Sequence, residues 1–124
     1  MGFLVRFLAA IQQNILLGKE SIRVKNSRLV MEVAQLLYRE GLILRCSRKD
    51  ESLEIVLRRE GGVPLVKGVK VFLRAQKHLF HTVAEIRLLG GVGLYIISTV
   101  EGFMTHKEAI LRGLGGQVFC FITV

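Results

Sequence analysis

The sequence predicts an α+β fold, and three observations predict it. Apolar residues recur at helical spacing in two early segments: Phe3, Phe7, Ile11 and Ile15 in the first, Leu29, Val30, Val33, Leu36 and Leu37 in the second. Short apolar runs bounded by turn residues recur through the rest, the clearest being 42–47, 53–59, 66–72, 94–99 and 117–124. Between these regions, Glu60-Gly61-Gly62-Val63-Pro64 joins two adjacent glycines to the only proline, the best boundary in the chain. At 124 residues and 13.9 kDa the chain forms one domain, or two small lobes sharing an interface. The boundary divides it into 1–61, read as α-β-α-β-β, and 62–124, read as mostly β with one short helix.

The first helix is expected over about 3–17, with Gly18 ending it. Ile22 to Val24 alternates apolar with basic and suggests a short strand. Asn26 or Ser27 can cap a second helix, which Gly41 terminates. The runs 42–47 and 53–59 are joined by Lys49-Asp50-Glu51-Ser52, a hairpin signal. Val66 to Phe72 alternates and reads as a strand. The segment 76–89 is ambiguous: Leu79, Phe80, Val83 and Ile86 have helical spacing, but it is short and could begin as a strand. Leu94 to Thr99 is a strand. Thr105-His106-Lys107-Glu108 has the capping-box pattern, with Glu108 three residues after a Thr105 cap, and the brief helix it opens stops at Gly113. The final strand carries no charge and is expected to be central.

Charge narrows the function. The chain has 18 Lys+Arg against 10 Asp+Glu, a net charge of +8, and a pI of about 10.1. A domain this basic usually faces a polyanion, nucleic acid or an anionic membrane; a surface charged for solubility is the plain alternative. The excess is uneven. Lys67, Lys70, Arg74 and Lys77 lie in 61–84 with no acid, and Arg6, Lys19, Arg23, Lys25 and Arg28 in 1–31 against Glu20 alone. Mean hydropathy of +0.44 raises the membrane question. The longest charge-free run, Leu88 to Val100, is too short to span and holds three glycines, a serine and a threonine, so no membrane partner is expected. The amino-terminal segment could pass for a targeting peptide, but its apolar face suits burial in a folded domain. Cys46 and Cys120 sit in separate apolar runs and read as free thiols in a reducing compartment rather than as a disulfide.

Several residues carry candidate chemistry. Ser98, Thr99 and Gly102 end an apolar strand with two hydroxyls and a glycine. The functional reading is a corner whose hydroxyls meet phosphates, 2′-hydroxyls or base edges, with Gly102 letting backbone approach closely. The competing reading is a hairpin turn whose hydroxyls bond their own backbone, and spacing alone favours it. Thr105 opens a helix whose amino end attracts anions. Gly113, Gly115 and Gly116 form either a phosphate nest or, more simply, a helix stop and tight turn. Lys25, Asn26, Ser27 and Arg28 gather an amide, a hydroxyl and two cations at one helix start, a phosphate clamp or a simple cap. His78 and His81 lack further ligands at metal spacing, and a Ser98–His106 pair lacks a nucleophile elbow, so no metal, cofactor or catalysis is expected.

These residues closely resemble the bacterial-type family of small-subunit ribosomal protein eight. Its carboxyl-terminal signature fits Gly93, Ile96-Ile97, Ser98-Thr99 and Gly102, then Met104-Thr105, Ala109 and Leu114-Gly115-Gly116. Ser27-Arg28-Leu29 and Glu40-Gly41-Leu42-Ile43 fit the amino-terminal half. The resemblance implies two small α+β lobes. It implies a structural role in the small ribosomal subunit, binding the central domain of its rRNA early in assembly, beside neighbouring proteins such as protein five, with no homo-oligomer. A free-standing RNA-binding regulator of the same fold is the alternative. The best RNA contacts it implies are Ser98, Thr99 and Gly102; the charge, cap and glycine readings add Thr105, Lys25, Asn26, Ser27, Arg28, Lys70, Arg74, Lys77, Gly115 and Gly116 as expected contacts. The family usually has a further Ser and a basic residue after its Ser-Thr pair, where this chain has Val100 and Glu101, and its Ser-Lys-Pro-Gly element is absent near Leu73-Arg74-Ala75-Gln76-Lys77. Such departures point to an organellar ribosome, most simply a mitochondrial one.

Overall fold

The structure is a computed structural model that describes residues 2–72 and 80–124. The chain divides into two compact units, 1–69 and 70–124. The division falls after the Gly61-Gly62 turn, because that turn belongs to a small hairpin tied into the first unit.

The first unit begins with α1 (Gly2–Leu17), which Gly18 stops with a left-handed φ of +68°. Its buried residues are Leu4, Phe7, Leu8, Ile11 and Asn14. The expected face is therefore rotated: Phe3 is exposed and Ile15 half-buried. The 3-to-4 spacing of 4/7/8/11 tracks a straight helical stripe better than a strict 4-residue step, which drifts around the helix. Strand β1 (Ile22–Lys25) follows, then α2 (Arg28–Arg39). Ser27 caps α2, its hydroxyl accepting from the Val30 N–H at 3.2 Å, and Val30, Val33, Ala34, Leu36 and Leu37 are buried. Ser27→Ala should cost about 1 kcal/mol in urea unfolding, while Ser27→Asp should stay near wild type; equal losses in both would show that the hydroxyl is not the cap.

Strands β2 (Ile43–Lys49) and β3 (Ser52–Leu57) form the expected hairpin, closing Lys49 against Ser52 with Asp50 at φ 55°. The antiparallel order is β1-β3-β2. In β3, Leu53, Ile55 and Leu57 alternate inward, the period-2 pattern of a strand covered on one face. Beyond it, β4 (Arg59–Glu60) and β5 (Val63–Pro64) make a two-residue-per-strand hairpin. Arg59 donates to the Lys19 carbonyl at 2.8 Å and the Gly62 carbonyl at 3.3 Å. Asn14, 4% exposed, donates to the same Lys19 carbonyl at 2.7 Å. A buried amide and the end of α1 are thus satisfied together, and the backbone N–H of Val69 donates to Gln12 Oε1 at 2.8 Å.

The strand expected over 66–72 is the shorter β6 (Gly68–Val71). In the second unit come β7 (Phe80–His81), α3 (Val83–Arg87), β8 (Gly93–Thr99), β9 (Gly102–Thr105), α4 (His106–Arg112) and β10 (Gly116–Thr123). The sheet order is β6-β10-β8-β9, with β7 also on β10. The uncharged last strand is central, as its composition implies. Ile86, Ile97, Met104, Ala109 and Val118 form one core, with Phe72, Leu89, Tyr95, Ile110 and Leu114 packed against it.

Among the described residues, the mostly-β second lobe holds two helices where one was expected. Of the ambiguous segment 76–89, residues 76–79 lie outside the described residues, and the part from Phe80 onward is the strand β7, then α3. A full capping box opens α3: Thr82 Oγ1 accepts from the Glu85 N–H at 3.3 Å, and Glu85 accepts from the Thr82 N–H at 2.9 Å. Those bonds to Thr82 hold the Glu85 carboxyl below its ordinary range. The box expected at Thr105 forms only its first arm, from the Glu108 N–H at 3.2 Å, because the Glu108 carboxylate turns to Arg112 instead. Cys46 and Cys120 are free. Cys120 is buried among apolar strands, and that burial pushes its thiol up to about 12. Among the described residues, no helix is long and apolar enough to cross a membrane.

Candidate nucleic-acid interface

In the second unit, β8 and β9 are joined by a two-residue turn, Val100-Glu101, with Thr99 opposite Gly102. The hairpin reading of Ser98, Thr99 and Gly102 is therefore correct as local structure. Thr99 Oγ1 donates to the Gly102 carbonyl at 2.8 Å and accepts from the Glu101 N–H at 3.1 Å. Gly102 sits at φ +107°, a backbone region closed to most side chains. The turn is thus locked by its own threonine. Val100 stands at its tip, 94% exposed.

The lock changes what each hydroxyl can offer. A hydroxyl has one proton and two lone pairs. Thr99 has used its proton and one lone pair, so toward a ligand it can only accept, as from a 2′-hydroxyl or a base amino group. Ser98 is half-buried, and among the described residues its hydroxyl has no hydrogen-bond partner, so it retains the proton a phosphate oxygen needs.

The strand register places Ser98 between Gln117 of β10 and Phe103 of β9. Neighbouring side chains on adjacent strands share one face. The row Gln117–Ser98–Phe103 therefore offers an exposed amide, a hydroxyl and a half-buried ring side by side. Phe103 is held edge-on to Phe119, with centroids 5.5 Å apart. Sequence reading missed Gln117 and Phe103. Their signal was the pairing register, which requires knowing that 102–105 returns as a strand.

Other expected contacts fall differently. Thr105 is only 3% exposed, so its hydroxyl serves as the cap of α4 and is withdrawn from a ligand. Gly116 is buried: a Cβ there would lie 2.5 Å from the Ser98 carbonyl and 2.8 Å from Ile97 Cγ2. At Gly115 it would lie 2.6 Å from the His81 carbonyl. These glycines let β10 approach its neighbours, a packing role that agrees with the tight-turn reading of the cluster. His106 is half-buried. Its Nδ1 accepts from the Tyr95 N–H at 3.1 Å, a fixed structural bond. Lys70 is exposed, with Nζ 5.6 Å from the Phe72 ring centroid. Arg74, Lys77 and His78 lie outside the described residues.

In the first unit, Lys25 and Arg28 are exposed on either side of the α2 cap. Lys25 Nζ lies 5.2 Å from the Phe3 ring centroid, which explains why an aromatic of α1 faces outward. The Asn26 N–H donates to the Glu51 carbonyl at 2.8 Å, pinning the residue to the β2–β3 turn. Ser27 accepts from Val30 and keeps its own proton. There is no acid in the first turn of α2.

The sequence matches the family model described as Ribosomal protein S8 over residues 3–123. It is 35% identical over 121 residues to the small ribosomal subunit protein uS8 of Xanthomonas euvesicatoria pv. vesicatoria, covering 93% of this chain and 92% of that protein. The protein of the same name from Stenotrophomonas maltophilia is 33% identical over the same coverage. With the α+β fold in place and matches running almost end to end, the chain belongs to the ribosomal protein S8 family: a structural protein of the small ribosomal subunit, and not an enzyme.

Proposed function

We propose that this chain binds small-subunit ribosomal RNA in its central domain and holds it in one geometry during assembly. The observation that carries the reading is the β8–β9 corner. Its turn is already fixed by the Thr99 bonds, so little conformational freedom remains to be lost on binding. Ser98 is left to donate, and Thr99 is left to accept. Gln117 and Phe103 flank Ser98 with an amide and a ring, groups that suit base edges and unstacked bases in RNA. Gly102 keeps the backbone beside them bare. Lys25, Ser27, Arg28 and Lys70 supply phosphate contacts that position rather than specify, with Asn26 holding the first of these corners in shape.

In this reading the ribosome is mitochondrial, because Val100 and Glu101 replace residues that a bacterial RNA site would otherwise meet. Ribosomal protein five is a neighbour. The test is binding of a central-domain rRNA transcript across a salt series. Lys25→Gln with Arg28→Gln should weaken binding at low salt and flatten the slope of log affinity against log salt by about one to two units. An unchanged slope would place this corner away from RNA. Cosedimentation with small subunits after a high-salt wash separates a ribosomal component from a free-standing regulator of the same fold, which would stay in the supernatant.

A further inference from the structure

The corner contains a carboxylate at the position least suited to one. Glu101 is one of the two turn residues, directly after the exposed tip and two residues from Thr99. A bare carboxylate there would repel any phosphate that Ser98 reaches for. In the folded unit it is not bare. Arg112, the last residue of α4, places Nη1 2.9 Å from Glu101 Oε1 and Nη2 2.9 Å from Glu108 Oε1. One planar guanidinium thus spans a turn residue and its own helix, a fork that an arginine makes and a lysine cannot reproduce with both arms. Glu108 lies in the first turn of α4, where a negative charge is already favoured by the exposed N–H groups of the helix. Arg112 therefore spends its charge chiefly on Glu101. The guanidinium is held in its charged form by its hydrogen bonds to Glu101, first, and to Glu108.

We propose that Arg112 is a positioning residue for polyanion binding: it neutralises Glu101 within the chain and ties the β8–β9 tip to α4, so that the corner meets RNA without a repelling charge. This rests on the corner being the RNA-binding site. Its role is distinct from that of a basic residue that touches phosphate, because the guanidinium is committed to two carboxylates. Both side chains of the Glu101–Arg112 pair remain about half exposed, at 52% and 51%. Such a pair contributes little to folding, so its removal should leave the unit folded and change binding.

The experiment measures binding of the central-domain rRNA transcript to the full chain at about 0.1 M and about 0.4 M salt, conditions that differ in screening length. Arg112→Gln should bind about 3–10-fold more weakly at the lower salt, with the loss shrinking at the higher salt as the uncovered carboxylates are screened. Arg112→Lys should recover most of the loss, since the charge returns. Glu101→Gln combined with Arg112→Gln keeps the net charge at 8 and should bind within about twofold of wild type.

The proposal is overturned if the double variant stays as weak as Arg112→Gln, which would make Arg112 a direct phosphate contact. It is equally overturned if Arg112→Gln binds like wild type while Ser98→Ala is weakened. If Ser98→Ala and Arg112→Gln both bind like wild type, the corner itself is not the RNA site, and the functional reading falls along with the inference.

Discussion

Gly93→Ala is expected to destabilise the second unit by about 2–4 kcal/mol in urea unfolding. Gly93 opens β8 opposite Thr123 of β10. A Cβ there would lie 2.1 Å from the Ile122 carbonyl oxygen and 3.0 Å from the tip of the Phe121 ring. The nearer obstacle is backbone in the central strand, so it cannot swing aside as a side-chain end would. Relief requires parting β8 from β10 at the end where Tyr95 packs on Phe121 at a centroid distance of 4.4 Å. That ring also anchors the preceding loop, with the Tyr95 hydroxyl donating to the Gly90 carbonyl at 2.6 Å. Gly18→Ala supplies the control. Its φ is also positive, but nothing lies within 4 Å of the added carbon, so its cost should stay near the conformational term of about 1 kcal/mol. Equal losses at both positions would mean that backbone conformation, not the approach of the two strands, demands glycine at 93.

The same contrast explains what the sequence reveals and what it hides. Signals written in consecutive residues are legible. Gly18, Gly41 and Gly113 stop helices where expected, Ser27 caps α2, and Lys49–Ser52 closes a hairpin. Each is decided by one residue's backbone preference or by one short bond. The features that were missed are decided by distant partners. The α1 face turns because Leu4 and Leu8 find the core and Phe3 meets Lys25. Thr105 and Glu108 have the spacing of a reciprocal cap, yet Arg112 takes the carboxylate away. Thr82 and Glu85 form that cap in a segment whose short length hid it. At the candidate site, the hydroxyl pair and glycine stand out in the sequence. Gln117, fourteen residues beyond Phe103 by number, joins Ser98 only through strand pairing. Arg112 joins Glu101 only because α4 folds back beside the turn.

Replacing both Ser98 and Thr99 by alanine should weaken binding of the central-domain rRNA by about 1–3 kcal/mol, or roughly 5–150-fold. The two positions should contribute in different ways. Ser98→Ala removes a hydroxyl with no partner inside the described residues, so it should lower affinity without moving the unfolding midpoint. Thr99 holds the turn through the Gly102 carbonyl and the Glu101 N–H. Thr99→Val keeps the shape of the side chain but loses both bonds, so it should lower affinity and also loosen the tip. Thr99→Ser retains the hydroxyl and should restore most of the binding. Filter binding gives the affinities, and amide exchange at Glu101 reports the turn, since that N–H is released when the threonine oxygen is gone. Native affinity in the double variant would remove the corner from the binding surface. Full protection at Glu101 in Thr99→Val, together with weakened binding, would instead assign Thr99 to direct contact alone, with the turn held by its strand pairing and by Arg112.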